Sequence, residues 1–448
     1  MTTKIEGGDE LRAEVARADD IVRHIERQSK LRENFLIGME YERLGVYRDT
    51  GRAIPYEGVI EKILDRVAEK DGWTRGYENG HIIFLEKKTG DMSHSETITL
   101  EPGGQTEYAS APAKTIAELL RSSRRAGKIL DAAAAEFGAV YIGLGYQPYS
   151  SPEEIAWVPK ARYRAMAPYL ARRGRLAHEM MKMTAGCQVS LDFTDGRDAM
   201  RKLRAALLCT PIAQALFAAS SIGGGRDLGY ATWRAKIWTE TDNDRCNTPG
   251  FMMRENATIE EYVEWLLDMP LMFLEHDGEY RDGTGFTLRR LMKEGHEGRR
   301  ATLYDAELAM TQAFPEARIK RFVEVRSCDT PRPDLVATVA CFWTSLLYGN
   351  LDAVFDLFAR VDEATYTEMR EAAIKEGLRG RAGGRTMGEW ATALLEIAGA
   401  TATCRTNMEI LRDRAARGVT PADDAAALIR RNISPMELVE SFASQATL

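Results

Sequence analysis

Residues 100–110 read Leu-Glu-Pro-Gly-Gly-Gln-Thr-Glu-Tyr-Ala-Ser. Glu101 and Glu107 place carboxylate oxygens on either side of the Gly103-Gly104 bend, with the Gln105 amide between them. Glycine lets a backbone approach a ligand closely, and carboxylate oxygens are the donors that hard cations such as Mg²⁺ prefer. Three other segments carry the same kind of face. Glu40 and Glu42 are two apart, so on a strand they point one way. Gln188, Ser190 and Asp192 share a face opposed to Val189, Leu191 and Phe193. Glu324 and Arg326 point together while Val323 and Val325 point away. Any one of these alternations fits the solvated face of a half-exposed sheet. Gathered together, carboxylates repel one another unless cations lie between them. Several glutamates with an arginine nearby are what a Mg²⁺–triphosphate site uses.

The elements that must position these residues are mostly helical. Apolar periodicity predicts helices over Glu10–Glu33, Tyr56–Lys70, Ala113–Phe137, Arg172–Met183 and Gly196–Ser220. It predicts others over Ile259–Leu267, Tyr304–Gln312, Asp334–Tyr348 and most of Met387–Leu448. Strands are fewer: Phe35–Val46, Gly80–Lys87, Ser95–Leu100, Ala139–Gln147, Gly186–Phe193 and Lys320–Arg326. Their alternation is the antiparallel habit, one face wet and one packed. No repeat or low-complexity linker divides the chain, so residues 1–448 are expected to form one domain, with a helical layer from about residue 387.

Composition narrows the field further. The 448 residues are 44% hydrophobic and 28% charged, with a formal net charge of −7. Such a balance argues against a nucleic-acid or anionic-membrane surface. The first ten residues lack an apolar leader core, and no apolar run approaches the roughly 18–20 residues that span a bilayer. A cytoplasmic protein is the expectation. Six scattered cysteines without a CxxC pair indicate neither a zinc site nor a disulfide framework, and fit a reducing compartment. No GxxxxGKS/T loop, strand-fed GxGxxG, HExxH or GxSxG occurs, so P-loop, Rossmann, zincin and serine-hydrolase chemistries lack support.

At these residues the chain resembles the plant-type glutamate–cysteine ligases, a family found also in bacteria. The similarity is carried by Gly38-Met39-Glu40-Tyr41-Glu42, by Leu100–Glu107 and by Met180–Phe193. It is carried further by Ile237–Arg245 and by Phe314–Arg326, all in the family's order. The resemblance implies an α+β fold with an antiparallel catalytic sheet of about six strands, like that of glutamine synthetase, wrapped by helices. It implies that Mg²⁺-ATP phosphorylates the side-chain carboxylate of glutamate, and that the amine of cysteine then displaces phosphate. Activation of this kind asks the enzyme mainly for positioning and charge neutralisation.

Carried over by position, the resemblance makes Glu40, Glu42, Glu101, Glu107, Gln188 and Glu324 the ligands of two or three Mg²⁺ ions. Arg326, Gln105 and Lys320 would contact ATP. Arg234, Trp238, Arg245 and Ser190 would hold the amino-acid substrates, with Arg326, Arg234 and Glu107 acting in the chemistry. The implied partners are small molecules, glutamate with cysteine or another amine, and the implied assembly is a monomer or homodimer. Departures fall around the amine site: Ser190 stands where the family has Asn, Ala219-Ser220-Ser221 replaces Asn-Ser-Pro, and Trp233 replaces Met. A sister ligase acting on a different amine is the alternative. Gly283 occupies the position of the first cysteine of the plant regulatory disulfide, so that switch is not expected.

Overall fold

A computed structural model of the chain describes residues 9–90, 94–399 and 404–443. The leader reading of the first ten residues and the last turn of the expected C-terminal helices fall largely outside that range. The architecture centres on one antiparallel sheet of nine strands. These are β1 (Ile37–Tyr47), β2 (Thr74–Glu78), β3 (His81–Lys88), β4 (Ser95–Leu100) and β5 (Thr106–Ala109), followed by β6 (Ala139–Ile142), β7 (Gly186–Leu191), β8 (Ala317–Ile319) and β9 (Val323–Asp329). Their order is β8-β9-β7-β1-β5-β4-β3-β2, and β6 joins the second half of β1. The α+β antiparallel class stands. The sheet is longer than about six strands because β2, β5 and β8, each of five residues or fewer, lie in segments not expected to be strands.

The helices that bear on the site are α1 (Ala18–Glu26), α2 (Glu61–Asp71), α3 (Ile116–Ala135), α4 (Ala161–Ala171), α5 (Ala177–Met183), α6 (Gly196–Leu216) and α7 (Trp233–Trp238). Later in the chain come α8 (Val336–Leu347), α9 (Glu363–Glu376), α10 (Met387–Ala398) and α11 (Arg405–Arg417). The expected helix over residues 10–33 is shorter than its periodicity suggests. Arg17 is extended, and the Asp20 carboxylate accepts the N–H groups of Ala16 and Arg17, so α1 starts there.

Alternation in β1 sets the two faces of the sheet. Met39 and Tyr41 enter one apolar core with Val189, Leu191 and Phe193, closed by α6 and α8. The N-terminal half of β1 pairs with β7 through Glu40 and Gln188, and its middle pairs with β5 through Glu42 and Glu107. A second core, built from α2, α3, α4 and α5 over Leu85, Ile98 and Leu100, seats the other end of the sheet. Among the described residues no helix is long and apolar enough to cross a membrane.

The structure corrects one cysteine expectation. Cys341 in α8 is bonded to Cys404, the residue before α11, with their Cα atoms 5.5 Å apart. Sixty-three residues separate the two in sequence, and only the packing of α11 on α8 brings them together. The pairing also runs against the reducing compartment expected from cysteine spacing.

Candidate active site

Register alone places the polar faces side by side. Glu42 faces Glu107 across β1 and β5, Thr99 faces Glu107 across β4 and β5, and Glu324 faces Ser190 across β9 and β7. The β9–β7 register shifts between Val325 and Cys328, and the Arg326 guanidinium donates to Gln188 Oε1 at 2.6 Å. Gln188 in turn donates to Glu42 Oε1 at 3.2 Å. One strand position therefore links Arg326 to Glu42 through a single amide. The other Glu42 oxygen accepts the Gly186 N–H at 2.6 Å.

The acidic turn is bolted to the helices beside it. Gly104 has φ +86°, a conformation side chains other than glycine's adopt at a cost, and its N–H closes the turn onto the Glu101 carbonyl at 2.9 Å. Gln105 accepts the Gly103 N–H at 2.9 Å and donates to the Thr184 carbonyl at 2.8 Å and the Met181 carbonyl at 3.1 Å. Lys160 and the Tyr163 hydroxyl both donate to the Leu100 carbonyl, at 2.7 and 2.8 Å. Gln105 lines the cavity, but its amide ties the turn to the end of α5.

A cavity opens where these pieces meet. Glu42, Glu101, Gln105, Arg234, Trp238 and Arg326 line it, with Tyr163, Met180 and Met181 as apolar wall. Arg234 and Trp238 sit one helical turn apart on α7, so they share a face. Thr232 caps that helix by accepting the Ala235 N–H. Arg234 Nη2 donates to the Arg326 carbonyl at 3.1 Å, while its Nε has no hydrogen-bond partner among the described residues. The Trp238 indole N–H is equally unpartnered. Asp329 holds the ground beneath α7: it accepts Ala219 N–H at 2.9 Å, Ser220 Oγ at 2.6 Å and Thr232 Oγ1 at 3.0 Å, and lies 3.9 Å from Arg234 Nη1.

Charge in this face is unevenly compensated. Burial, with the neighbouring Glu107 and Glu324 charges, pushes the Glu40 carboxyl up to about 7. Burial and the nearby Glu101 charge raise Glu42. Burial raises Glu107 too, reinforced by Glu101 and Glu42. Glu324 goes the other way. Burial opposes its ionisation, yet Arg318, Lys320 and Arg326 hold it well below the usual carboxylate range. Arg318 Nε donates to Glu324 Oε2 at 2.6 Å, and Lys320 Nζ lies 2.6 Å from Oε1. Burial also lowers the Lys160 ammonium to about 8.

The expected site residues thus divide. Glu40, Glu42, Glu107, Gln188, Ser190, Glu324 and Arg326 occupy adjoining positions of one sheet face, and Glu101, Arg234 and Trp238 join them at the cavity. Lys320 is engaged by Glu324. Arg245 is not brought in: fully buried, it donates to Asp242, the Gln312 carbonyl, Tyr169 and the Pro270 carbonyl. Asp329, Lys160 and Arg318 were not among the expected site residues. Arg318 does fall within Phe314–Arg326, a segment that resembles the family, and that was the signal available for it. Among the described residues no three carboxylate, thiol or imidazole groups already stand at metal-holding distance.

Comparison with known proteins places the chain in a family. The glutamate–cysteine ligase family 2 (GCS2) matches residues 36–440. The chloroplastic glutamate–cysteine ligase of Brassica juncea is 35% identical over 366 residues, covering 81% of this chain and 70% of the relative. That of Arabidopsis thaliana is 34% identical, covering 81% and 69%. The crystal structure of a glutamate–cysteine ligase from Francisella tularensis, in complex with AMP, superposes with a TM-score of 0.59 at 12% identity, covering 93% of this chain and 89% of that one. The names of the plant relatives overturn the cytoplasmic expectation, since they are chloroplastic proteins. Composition at one end of a chain does not determine its compartment. The chain belongs to the glutamate–cysteine ligase family and is a carbon–nitrogen ligase acting on small molecules.

Proposed function

We propose that this chain joins the side-chain carboxylate of glutamate to the amine of cysteine, giving γ-glutamylcysteine at the expense of ATP. The observation that carries this reading is the convergence of two buried guanidiniums, Arg234 and Arg326, with Glu42 and Glu101 in one cavity. Arg234 lines that cavity and, among the described residues, its Nε has no hydrogen-bond partner, so part of its guanidinium remains for the α-carboxylate of an amino acid. Trp238 lies with its ring centroid 6.0 Å from Arg234 and 5.9 Å from Arg326, and walls the pocket between the two cations.

In the first step a glutamate side-chain oxygen forms a bond to the γ-phosphorus, and the bond from that phosphorus to ADP breaks. In the second the amine nitrogen bonds to the acyl carbon, phosphate leaves and the nitrogen loses a proton. Arg326 is placed to neutralise charge on the transferred phosphoryl, and Gln188 fixes its guanidinium at 2.6 Å. The donor chemistry of Glu40, Glu42, Glu101 and Glu107 fits Mg²⁺: hard oxygens, three of whose four carboxyls are raised by burial and further by neighbouring carboxylates. Held by these carboxylates, Mg²⁺ would offset the negative charge of the triphosphate. Glu324 fits that role less well, because three cations already compensate it; its geometry suits holding Arg318, Lys320 and Arg326 in place.

The test is phosphate release with Mg²⁺-ATP and glutamate against a panel of amines that includes cysteine. Turnover with cysteine above the other amines is expected. No turnover with cysteine, alongside turnover with another amine, would overturn the reading.

A further inference from the structure

A second cavity, of about 770 Å³, lies against the other side of α7. Arg234 and Trp238 are four residues apart and share one face of that helix, whereas Lys236 and Thr239 point away from it. The two cavities have no lining residue in common. The second is closed by the Tyr230 loop and by α9, which contributes Tyr366, Arg370, Glu371 and Lys375. Its size suits a small molecule.

Its polar groups are incompletely matched. The Lys375 ammonium lies 3.9 Å from the centroid of the Tyr230 ring, and among the described residues it has no carboxylate partner. Arg370 Nε is buried without a hydrogen-bond partner, and the nearest carboxylate oxygen to its Nη2, on Glu316, is 3.8 Å away. The Tyr366 hydroxyl donates to the Leu207 carbonyl at 2.6 Å, which fixes its ring as a wall. Glu371 contributes an exposed carboxylate to the same cavity. With four cations (Arg204, Lys236, Arg370 and Lys375), three carboxylates (Asp362, Glu363 and Glu371) and two phenol rings, the lining complements a flat ring carrying both charges.

Both Lys375 and Arg370 sit on structure that leads to Arg234 and Arg326. The Ile374 carbonyl, in α9, accepts the N–H groups of Ala231 at 3.1 Å and Thr232 at 3.2 Å, and Thr232 caps α7 two residues before Arg234. Glu316, the neighbour of Arg370, accepts the Arg326 N–H on its own carbonyl at 2.8 Å.

We propose that this cavity is a second ligand site for a small aromatic zwitterion of the amino-acid class, coupled through α7 to the substrate cavity. Lys375 and Arg370 receive the carboxylate, Glu371 the ammonium, and the ring lies against Tyr230 and Tyr366. Coupling of this kind is reciprocal, so a bound zwitterion shifts the affinity for glutamate as glutamate shifts its own.

The experiment is calorimetric titration of the whole chain with L-phenylalanine and L-tyrosine. Phenylacetate and phenethylamine, each lacking one charge, serve as controls. Saturable one-site binding of the amino acids is expected, at least tenfold weaker for either control. Lys375→Ala and Arg370→Ala should each weaken it tenfold or more, while Arg234→Ala, which touches only the catalytic cavity, should retain it. Absence of saturable binding would overturn the site, as would binding that survives Lys375→Ala and disappears in Arg234→Ala. In steady-state assays, saturating phenylalanine should change the KM for glutamate at least twofold in the parent and not in Lys375→Ala. An unchanged KM would overturn the coupling. Because the titration needs no turnover, loss of the ligase reading and loss of this one are separable.

Discussion

Glu107 has no exposed surface and faces Glu42 across β1 and β5, so burial strengthens the repulsion between them. A cation held between them would relieve it. Glu107→Gln keeps an oxygen for the 3.1 Å hydrogen bond from Thr99 and removes only the charge. The variant should stay folded, while kcat falls by about 10²–10³ or the Mg²⁺ needed for half-maximal turnover rises at least tenfold. A Mg²⁺ titration of phosphate release checks this, with a thermal melt as folding control; unchanged Mg²⁺ dependence would remove Glu107 from the metal set. Asp329 tests a different kind of residue. Asp329→Asn presents an amide donor where Ser220 and Thr232 already donate, at a cost of about 1–3 kcal/mol. Through α7 this should tilt Arg234 and raise the KM for glutamate about tenfold, with a smaller effect on kcat; a change confined to kcat would place Asp329 elsewhere in the mechanism. Glu40 and Glu42 stood out because two-residue spacing on a strand determines a face, and Glu101 and Glu107 because they flank the Gly103-Gly104 bend. Arg245 was misplaced because nothing in a sequence states what a guanidinium will meet. Here it meets two carbonyls, a carboxylate and a phenol, and has nothing left for a substrate.

The Gly103-Gly104 turn shows how far a local motif depends on its neighbours. A Cβ at Gly103 would stand 2.3 Å from the Lys182 carbonyl oxygen and 2.7 Å from its Cα, backbone atoms that cannot swing aside. Gly103→Ala must therefore push the turn away from the end of α5. We expect a loss of about 1–3 kcal/mol in chemical denaturation, with turnover reduced through displacement of Glu101. Gly90→Ala, where an added Cβ meets nothing within 4 Å, should change stability by less than about 0.5 kcal/mol. Equal losses in the two would show that the close approach does not matter. The turn itself was readable from its residues, but the strand that follows it was not. β5, β2 and β8 run four, five and three residues, too short for alternation to register, and tertiary pairing alone makes them strands. The six residues of α7 escaped for the same reason. Long α3 and α6 were legible because several turns repeat one apolar face.

The Cys341–Cys404 bond belongs to the scale at which sequence reading is weakest. Spacing between cysteines carries no pairing information; what joins these two is the docking of α11 beside α8 and α10 on the apolar side of the sheet. A cross-link closing 63 residues restricts the unfolded chain, and by loop entropy stabilises the fold by about 4 kcal/mol. The catalytic cavity lies on the other face of β1 and β7, lined by Glu42 and its neighbours. Met39, Tyr41 and Val189 separate it from α8. Stability and turnover should therefore respond differently to a reductant. With dithiothreitol the midpoint of urea unfolding should fall markedly, while kcat and the KM for glutamate at 25 °C stay within twofold. Cys404→Ser should show the lower midpoint from the start and no further response to the reductant. A fall in kcat on reduction, absent from Cys404→Ser, would show that the Cys341–Cys404 bond reaches the cavity through the sheet and would overturn this separation of stability from turnover.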